Sequence, residues 1–176
     1  MITASQFETS LGTLTACSVE EGICLLAFSD RVTEEKEIKY LSKYFKTSVQ
    51  EGVDDHLTSL RKQIDEYFAG SRKEFTVPLV TPGTHFQQSV WNELMNIGYG
   101  KTRSYQEQSD ALGMPGSVRA VANANGMNRI AILIPCHRVI GLNGSLTGYA
   151  GGLERKRWLL EHEKRYSGQE FNLKLF

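Results

Sequence analysis

Residues 130–140 read IAILIPCHRVI, an apolar run that breaks at Pro-Cys-His-Arg and then resumes. A buried strand gains nothing from three consecutive polar or reactive groups, so the break marks a place where a core opens onto a surface. Cys136 and His137 are the residues there that could do chemistry. A thiol is a weak nucleophile until it loses its proton, and an ordinary pKa of about 8.5 leaves only a small fraction as thiolate at neutral pH. It needs a base. His137 is adjacent, but neighbouring side chains of extended chain point to opposite sides, so the pair requires a bend or a bridging water, and Pro135 supplies a bend. The base in turn needs an acceptor to hold one tautomer, and Glu163, at the end of an otherwise apolar helix face, is the candidate. A packed thiol and a zinc ligand are the competing readings. Adjacent Cys and His lack chelating spacing, and Cys17 and Cys24 fall elsewhere in the chain, so neither a metal site nor a cofactor is expected.

The odd cysteine count fits no disulfide framework. No apolar run approaches the roughly 18 residues of a membrane span, and the amino terminus MITASQFETS lacks the basic start and apolar block of a signal peptide. A cytoplasmic protein in a reducing compartment, with no membrane partner, is the expectation. At 176 residues the chain can bury a core without crosslinks, as one domain or two small ones. Its net charge is zero, yet residues 1–82 carry 9 Lys+Arg against 13 Asp+Glu (−4) and residues 83–176 carry 11 against 7 (+4). That asymmetry fits one domain meeting a polyanion, with scatter as the competing account of so small a difference.

Several elements must position these residues. GTLTACSV and ICLLAF, joined by the turn EEG, form a hairpin whose first strand has no cleanly apolar face, and Cys24 is a small core residue. EEKEIKYLSKYF and LTSLRKQIDEYFAG are amphipathic helices, the second ending at Gly70, with Asp54, Asp55 and His56 as its amino-terminal cap cluster. VPLVTPGT links an amino-terminal part, 1–82, to the remainder, 83–176. Thr84 caps a helix carrying Phe86, Val90, Trp91, Leu94 and Ile97. Ser104 and Glu107 form a reciprocal capping box, and SVRAVANANG follows after a tight turn, a helix-turn-helix pattern that any pair of packed helices could share. IAILI is then a buried strand, Asn143-Gly144 a tight turn, and LERKRWLLEHE a last helix bearing Leu153, Trp158, Leu159, His162 and, at its end, Glu163. The tail from Ser167 to Phe176 has no clear pattern.

FQQSVW, SYQEQSDALG, VRAVANANGMN, ILIPCHRVIG and LTGYAGGLERKRWLLEHE together resemble the O6-alkylguanine-DNA alkyltransferases, the methylated-DNA protein-cysteine methyltransferase family. The likeness covers most of residues 84–166 and is only general before that, at SLGTL and EEG. It implies an α/β protein: a small ribonuclease-H-like α/β amino-terminal domain over 1–82 and a mostly helical, winged helix-turn-helix-like catalytic domain over 83–176. It also implies a chemistry, the irreversible transfer of the alkyl group from O6-alkylguanine in duplex DNA to Cys136, once per molecule, with O4-alkylthymine as a second substrate class. His137 would take the thiol proton through a water, Glu163 would orient His137, and Tyr105 would donate to the departing guanine. Asn128 would tie the turn before the Pro-Cys segment.

The same resemblance implies that the nucleotide is flipped out of the duplex. Arg119 would fill the gap in the stack, its alternative being a phosphate contact on an exposed helix face. The second helix would enter the minor groove, bringing Ser117, Val118, Ala120, Ala122 and Asn123 beside it. Tyr149, Ala150, Gly151 and Val139 would line the pocket. The partner implied is double-stranded DNA carrying O6-alkylguanine, met by a monomer in the cytoplasm, nucleoid-associated in a bacterium or nuclear in a eukaryote. The chain departs from the family's usual pattern at Ala122-Asn123 in place of glycine, Arg129 in place of proline, Ala131 in place of proline or serine, and Gln88 in place of arginine. Non-catalytic relatives carry tryptophan where Cys136 stands. Two other function classes compete with single-turnover repair: a DNA-binding regulator with a structural thiol, indifferent to Cys136→Ala, and a multiple-turnover thiol hydrolase.

Overall fold

The computed structural model describes residues 1–30 and 33–168. By backbone contacts the chain forms two units, Met1–Pro82 with Arg129–Ala131, and Gly83–Asn128 with Ile132–Phe176.

The first unit is built on a four-stranded sheet of β1 (Ile2–Thr9), β2 (Gly12–Val19), β3 (Gly22–Phe28) and β4 (Val49–Glu51), in the order β3-β2-β1-β4. Its three longer strands run antiparallel and β4 joins β1 in parallel. The expected hairpin is β2–β3, and β2 has no cleanly apolar face because both of its faces are covered. On one, Cys17 and Val19 pack with Cys24, Leu25 and Ala27 against Leu41 of α1 (Glu34–Phe45). On the other, Ser18 donates a 2.5 Å hydrogen bond to Asp54, the cap of α2 (Asp55–Phe68), whose Leu57, Leu60, Ile64 and Tyr67 are buried. Polar residues survive inside such a strand only with partners: Thr15 is bonded to Gln6, Ser29 and Glu34. The Asp54 carboxylate accepts from the Leu57 N–H at 2.9 Å, the cap expected from the acidic cluster.

Two short segments extend the β3 edge. Pro78 to Val80 bonds to Ile23 on both sides, and Arg129 to Ala131 bonds to Leu26 likewise. The buried strand expected at IAILI is therefore corrected. Only Ile130 makes a bridge; the chain then turns through residues 131–133, with Ile132 at φ +71°. The run is apolar because it is buried, and burial alone does not distinguish a strand from a packed turn. A β-branched residue in the left-handed region costs about 1–3 kcal/mol and persists only where its surroundings hold it.

In the second unit, α3 (His85–Leu94) and α4 (Tyr105–Ala111) each begin with a reciprocal capping box, Thr84 with Gln87 and Ser104 with Glu107. These are the two caps that the sequence places there. α5 (Val118–Gly126) is held from both sides: the Trp91 indole donates to the Ala124 carbonyl at 2.9 Å, and Gln108 and Asn125 exchange two buried amide hydrogen bonds. β5 (Arg103–Ser104) pairs in parallel with β6 (Val139–Ile140), tying the segment before Tyr105 to the one after Arg138. α6 (Leu153–Tyr166) runs almost a turn beyond Glu163, so that residue lies within the helix and not at its end. The expectation for the tail beyond Gly168 lies outside the described residues. No helix among them is long and apolar enough to cross a membrane.

Candidate active site

Pro135 ends the buried turn, and Cys136–Arg138 form a single turn of 3-10 helix. The Cys136 N–H donates to Ile134 O at 2.8 Å and the Arg138 N–H to Pro135 O at 3.0 Å. Asn128 braces the same turn from outside: its Nδ2 donates to Ile134 O at 2.8 Å and reaches the Cys136 Sγ at 3.2 Å. An N–H aimed at sulfur favours the thiolate over the thiol. The sulfur-bearing residue is 9% exposed, enough to open on a cavity.

His137 is wholly buried. Its Nε2 lies 2.7 Å from Glu163 Oε1. Glu163 is also gripped by Arg138, Nε to Oε2 at 2.8 Å and Nη2 to Oε1 at 2.9 Å, while Arg138 Nη1 donates to Ile97 O at 2.6 Å. Burial by itself would raise the Glu163 carboxyl, but the charges and hydrogen bonds of His137 and Arg138 more than reverse it and hold the group well below the usual carboxylate range. Burial lowers His137, with Glu163 opposing and Arg138 and Lys156 assisting. The state that satisfies both is a charged Glu163–Arg138 pair beside a neutral imidazole. A carboxylate can only accept, so His137 carries its proton on Nε2 and leaves Nδ1 as the basic nitrogen. Among the described residues Nδ1 has no hydrogen-bond partner.

A cavity of about 560 Å³ opens above the thiol, lined by Cys136, by Tyr105, by the α5 residues Val118, Arg119 and Ala122, and by the loop Thr147–Ala150 among others. Tyr105 donates from its hydroxyl to Thr147 O at 2.9 Å. Lys156, fully buried on α6, donates to Thr147 O at 2.9 Å and Gly148 O at 3.2 Å, and its Nζ lies 3.5 Å from the Tyr105 hydroxyl. Burial lowers the Lys156 ammonium to about 8, against the opposing pull of Cys136. Burial also raises the Tyr105 phenol, so it stays protonated and able to donate.

The structure brings Cys136, His137, Glu163, Tyr105 and Asn128 into one neighbourhood of the fold. Tyr149, Ala150, Arg119, Val118 and Ala122 line the cavity; Ala120 and Asn123 are exposed on α5, and Ser117 precedes it, half-buried. Val139 and Gly151 are not among the lining residues. Val139 is fully buried because β6 turns it into the core, and at Gly151 the chain has passed the rim toward α6. Two residues escaped the sequence reading, Arg138 and Lys156. The signal for Lys156 was its place on the buried face of α6, one turn before Leu159 and Leu160 and two before Glu163. Arg138 stood as an unexplained charge inside an apolar run.

Both units of the chain resemble known proteins. The model for "6-O-methylguanine DNA methyltransferase, ribonuclease-like domain" matches residues 2–81, and that for "6-O-methylguanine DNA methyltransferase, DNA binding domain" matches residues 85–165. The chain is 43% identical over 152 residues to the inducible methylated-DNA–protein-cysteine methyltransferase of Bacillus subtilis, covering 86% of this chain and 84% of that one. It is 41% identical over 157 residues to the enzyme of that name from Methanosarcina acetivorans, covering 89% and 95%. A crystal structure of Mycobacterium tuberculosis OGT in complex with DNA superposes with a TM-score of 0.80 at 40% identity, over 93% of this chain and 94% of that one. Matches that span both units, joined to a cavity-lining thiol followed in the chain by a buried imidazole–carboxylate pair, place the chain in the 6-O-methylguanine DNA methyltransferase family.

Proposed function

We propose that this protein repairs duplex DNA by moving the alkyl group of O6-alkylguanine, and as a second class O4-alkylthymine, onto its own Cys136. The Sγ thiolate attacks the alkyl carbon; an S–C bond forms, the C–O6 bond breaks, and its electron pair stays on the guanine. The thiol proton passes to His137 Nδ1 through a water, Glu163 and Arg138 holding the ring. Tyr105 turns its hydroxyl proton from Thr147 O toward the departing base, whose developing charge the buried Lys156 cation also offsets. A thioether resists hydrolysis, so each molecule acts once and needs no cofactor.

Reaching a carbon at the edge of a stacked base pair in line requires the nucleotide to leave the helix. α5 carries the exposed Arg119 at the cavity rim, which suits it to fill the vacated space, with Ser117, Val118, Ala120, Ala122 and Asn123 along the DNA-facing side. The protein works as a monomer in the cytoplasm, on the nucleoid of a bacterium or in the nucleus of a eukaryote. The observation that carries the reading is the buried 2.7 Å contact of His137 with Glu163 immediately beside a thiol that opens on a cavity. Intact mass after incubation with an O6-methylguanine duplex tests it. One added methyl group, present in the native protein and absent from Cys136→Ser, is expected; an unchanged mass, or many turnovers per molecule, refutes it.

A further inference from the structure

Arg129 is a cation inside the first unit, 5% exposed. Its guanidinium is held on three sides. Nε stands 2.6 Å from Glu37 Oε2, Nη1 donates to Pro82 O at 2.8 Å, and Cζ lies 4.0 Å from the centroid of the Tyr40 ring. Glu37 and Tyr40 are three residues apart on α1, so one helix face presents the carboxylate and the ring together. The Arg129 backbone is pinned as well, by the hydrogen bonds through which residues 129–131 flank Leu26. A planar cation in contact with a carboxylate, a carbonyl and an aromatic face is a fixed point, since each partner constrains a different direction of the fork.

The fixed point stands at a sensitive place in the chain. The preceding residue is Asn128, whose amide braces Ile134 O and the Cys136 sulfur. Three residues after Arg129 comes Ile132, left-handed at φ +71° although β-branched, a conformation that relaxes unless both ends of its segment are held. Pro135 and Cys136 follow directly.

We propose that Arg129, clamped by Glu37 and Tyr40, is a positioning residue for alkyl transfer: it holds Asn128 on one side and the strained Ile132 on the other, and so sets where the Cys136 sulfur is presented. The coupling passes along the covalent chain from residue 128 to residue 136, and it gives the amino-terminal domain a part in the chemistry. The proposal rests on the reading of Cys136 as the alkyl acceptor.

The test compares native protein with Arg129→Met, Arg129→Lys, Glu37→Gln and the double variant Arg129→Met/Glu37→Gln. Each is measured for methyl transfer from an O6-methylguanine duplex at saturating DNA, for duplex affinity, and for alkylation of Cys136 by iodoacetamide. The double variant leaves neither charge buried alone, so it keeps the fold while removing the clamp. Its saturating transfer rate is expected to fall by about tenfold to a hundredfold, the size of effect that misplacement of a reacting group by an ångström produces, with duplex affinity within about twofold of native and a changed iodoacetamide rate. Arg129→Lys, keeping the charge without the planar fork, recovers part of the rate. A folded double variant with native transfer and native iodoacetamide rates overturns the proposal. If the native protein takes no methyl group, the functional reading fails instead, and the iodoacetamide comparison alone decides whether Arg129 positions the thiol.

Discussion

Arg138 and Glu163 meet through two roughly parallel contacts, Nε to Oε2 at 2.8 Å and Nη2 to Oε1 at 2.9 Å, both side chains buried. His137 and that fork together keep the carboxylate ionised where burial alone would protonate it, and an ionised carboxylate is what orients His137. The pair therefore controls a proton on a third residue. Without Arg138, Glu163 and His137 would share one charge deficit inside the core, and the position of the imidazole proton would no longer be settled.

Replacing one partner of this fork leaves the other buried and uncompensated. Glu163→Gln should destabilise the fold by about 3–5 kcal/mol, read as a lower urea midpoint at pH 7, and should slow methyl transfer because His137 loses its orienting charge. A stability loss below about 1 kcal/mol, the range of exposed ion pairs, would show that the fork is not isolated from water.

The two lowered pKa values give stability the same sign of pH dependence. His137 is lowered by burial, so once pH drops below the unfolded value of about 6.5 the unfolded chain takes up a proton that the folded chain refuses. Glu163 is lowered by His137 and Arg138, so its contribution is present above the unfolded value of about 4.3 and is lost as pH falls further. Urea midpoints measured from pH 8 to pH 4 should decline progressively, with a shallower slope at the acid end for Glu163→Gln. A flat native profile would contradict the assigned charge states.

Lys156 braces the cavity loop through the carbonyls of Thr147 and Gly148 and sits beside the Tyr105 hydroxyl. Lys156→Met should speed amide hydrogen exchange across residues 147–150 and reduce the transfer rate, and Tyr105→Phe should reduce the rate by about a hundredfold, as loss of a general acid does. Unaltered exchange in the loop would mean that something other than the ammonium holds it.

Arg119 distinguishes a stack-filling role from a phosphate contact. If it fills the gap, Arg119→Ala should depress transfer on duplex far more than on single-stranded substrate and leave the salt dependence of binding unchanged. A salt slope reduced by about 1 with equal loss on both substrates would identify it as a phosphate ligand instead.

Much of the site was legible because its signals are local. A capping box is spelled by two residues three apart, and the Ser104–Glu107 box appears as expected, while Thr84 caps α3 as expected with Gln87 as a reciprocal partner that the structure adds. The helical spacing of Leu57, Leu60 and Ile64 shows which face of α2 is buried. β1 was missed because Thr3, Ser5 and Gln6 give it no alternation; it is a strand because β2 and β4 supply partners on both sides. IAILI misled for the complementary reason, since its apolar character reports burial, and only Ile130 bridges to Leu26 before the chain turns.

The sequence by itself determined the reagents, a thiol next to an imidazole and a carboxylate on the last helix, because residue type and short spacing are written in the order of the residues. Only the tertiary structure decided which charges are buried together, which nitrogen of His137 is free to act as base, that Lys156 faces inward, and that Ile132 is held left-handed. Each of these depends on desolvation and on partners far away in the chain, and neither quantity exists until the fold has closed around them.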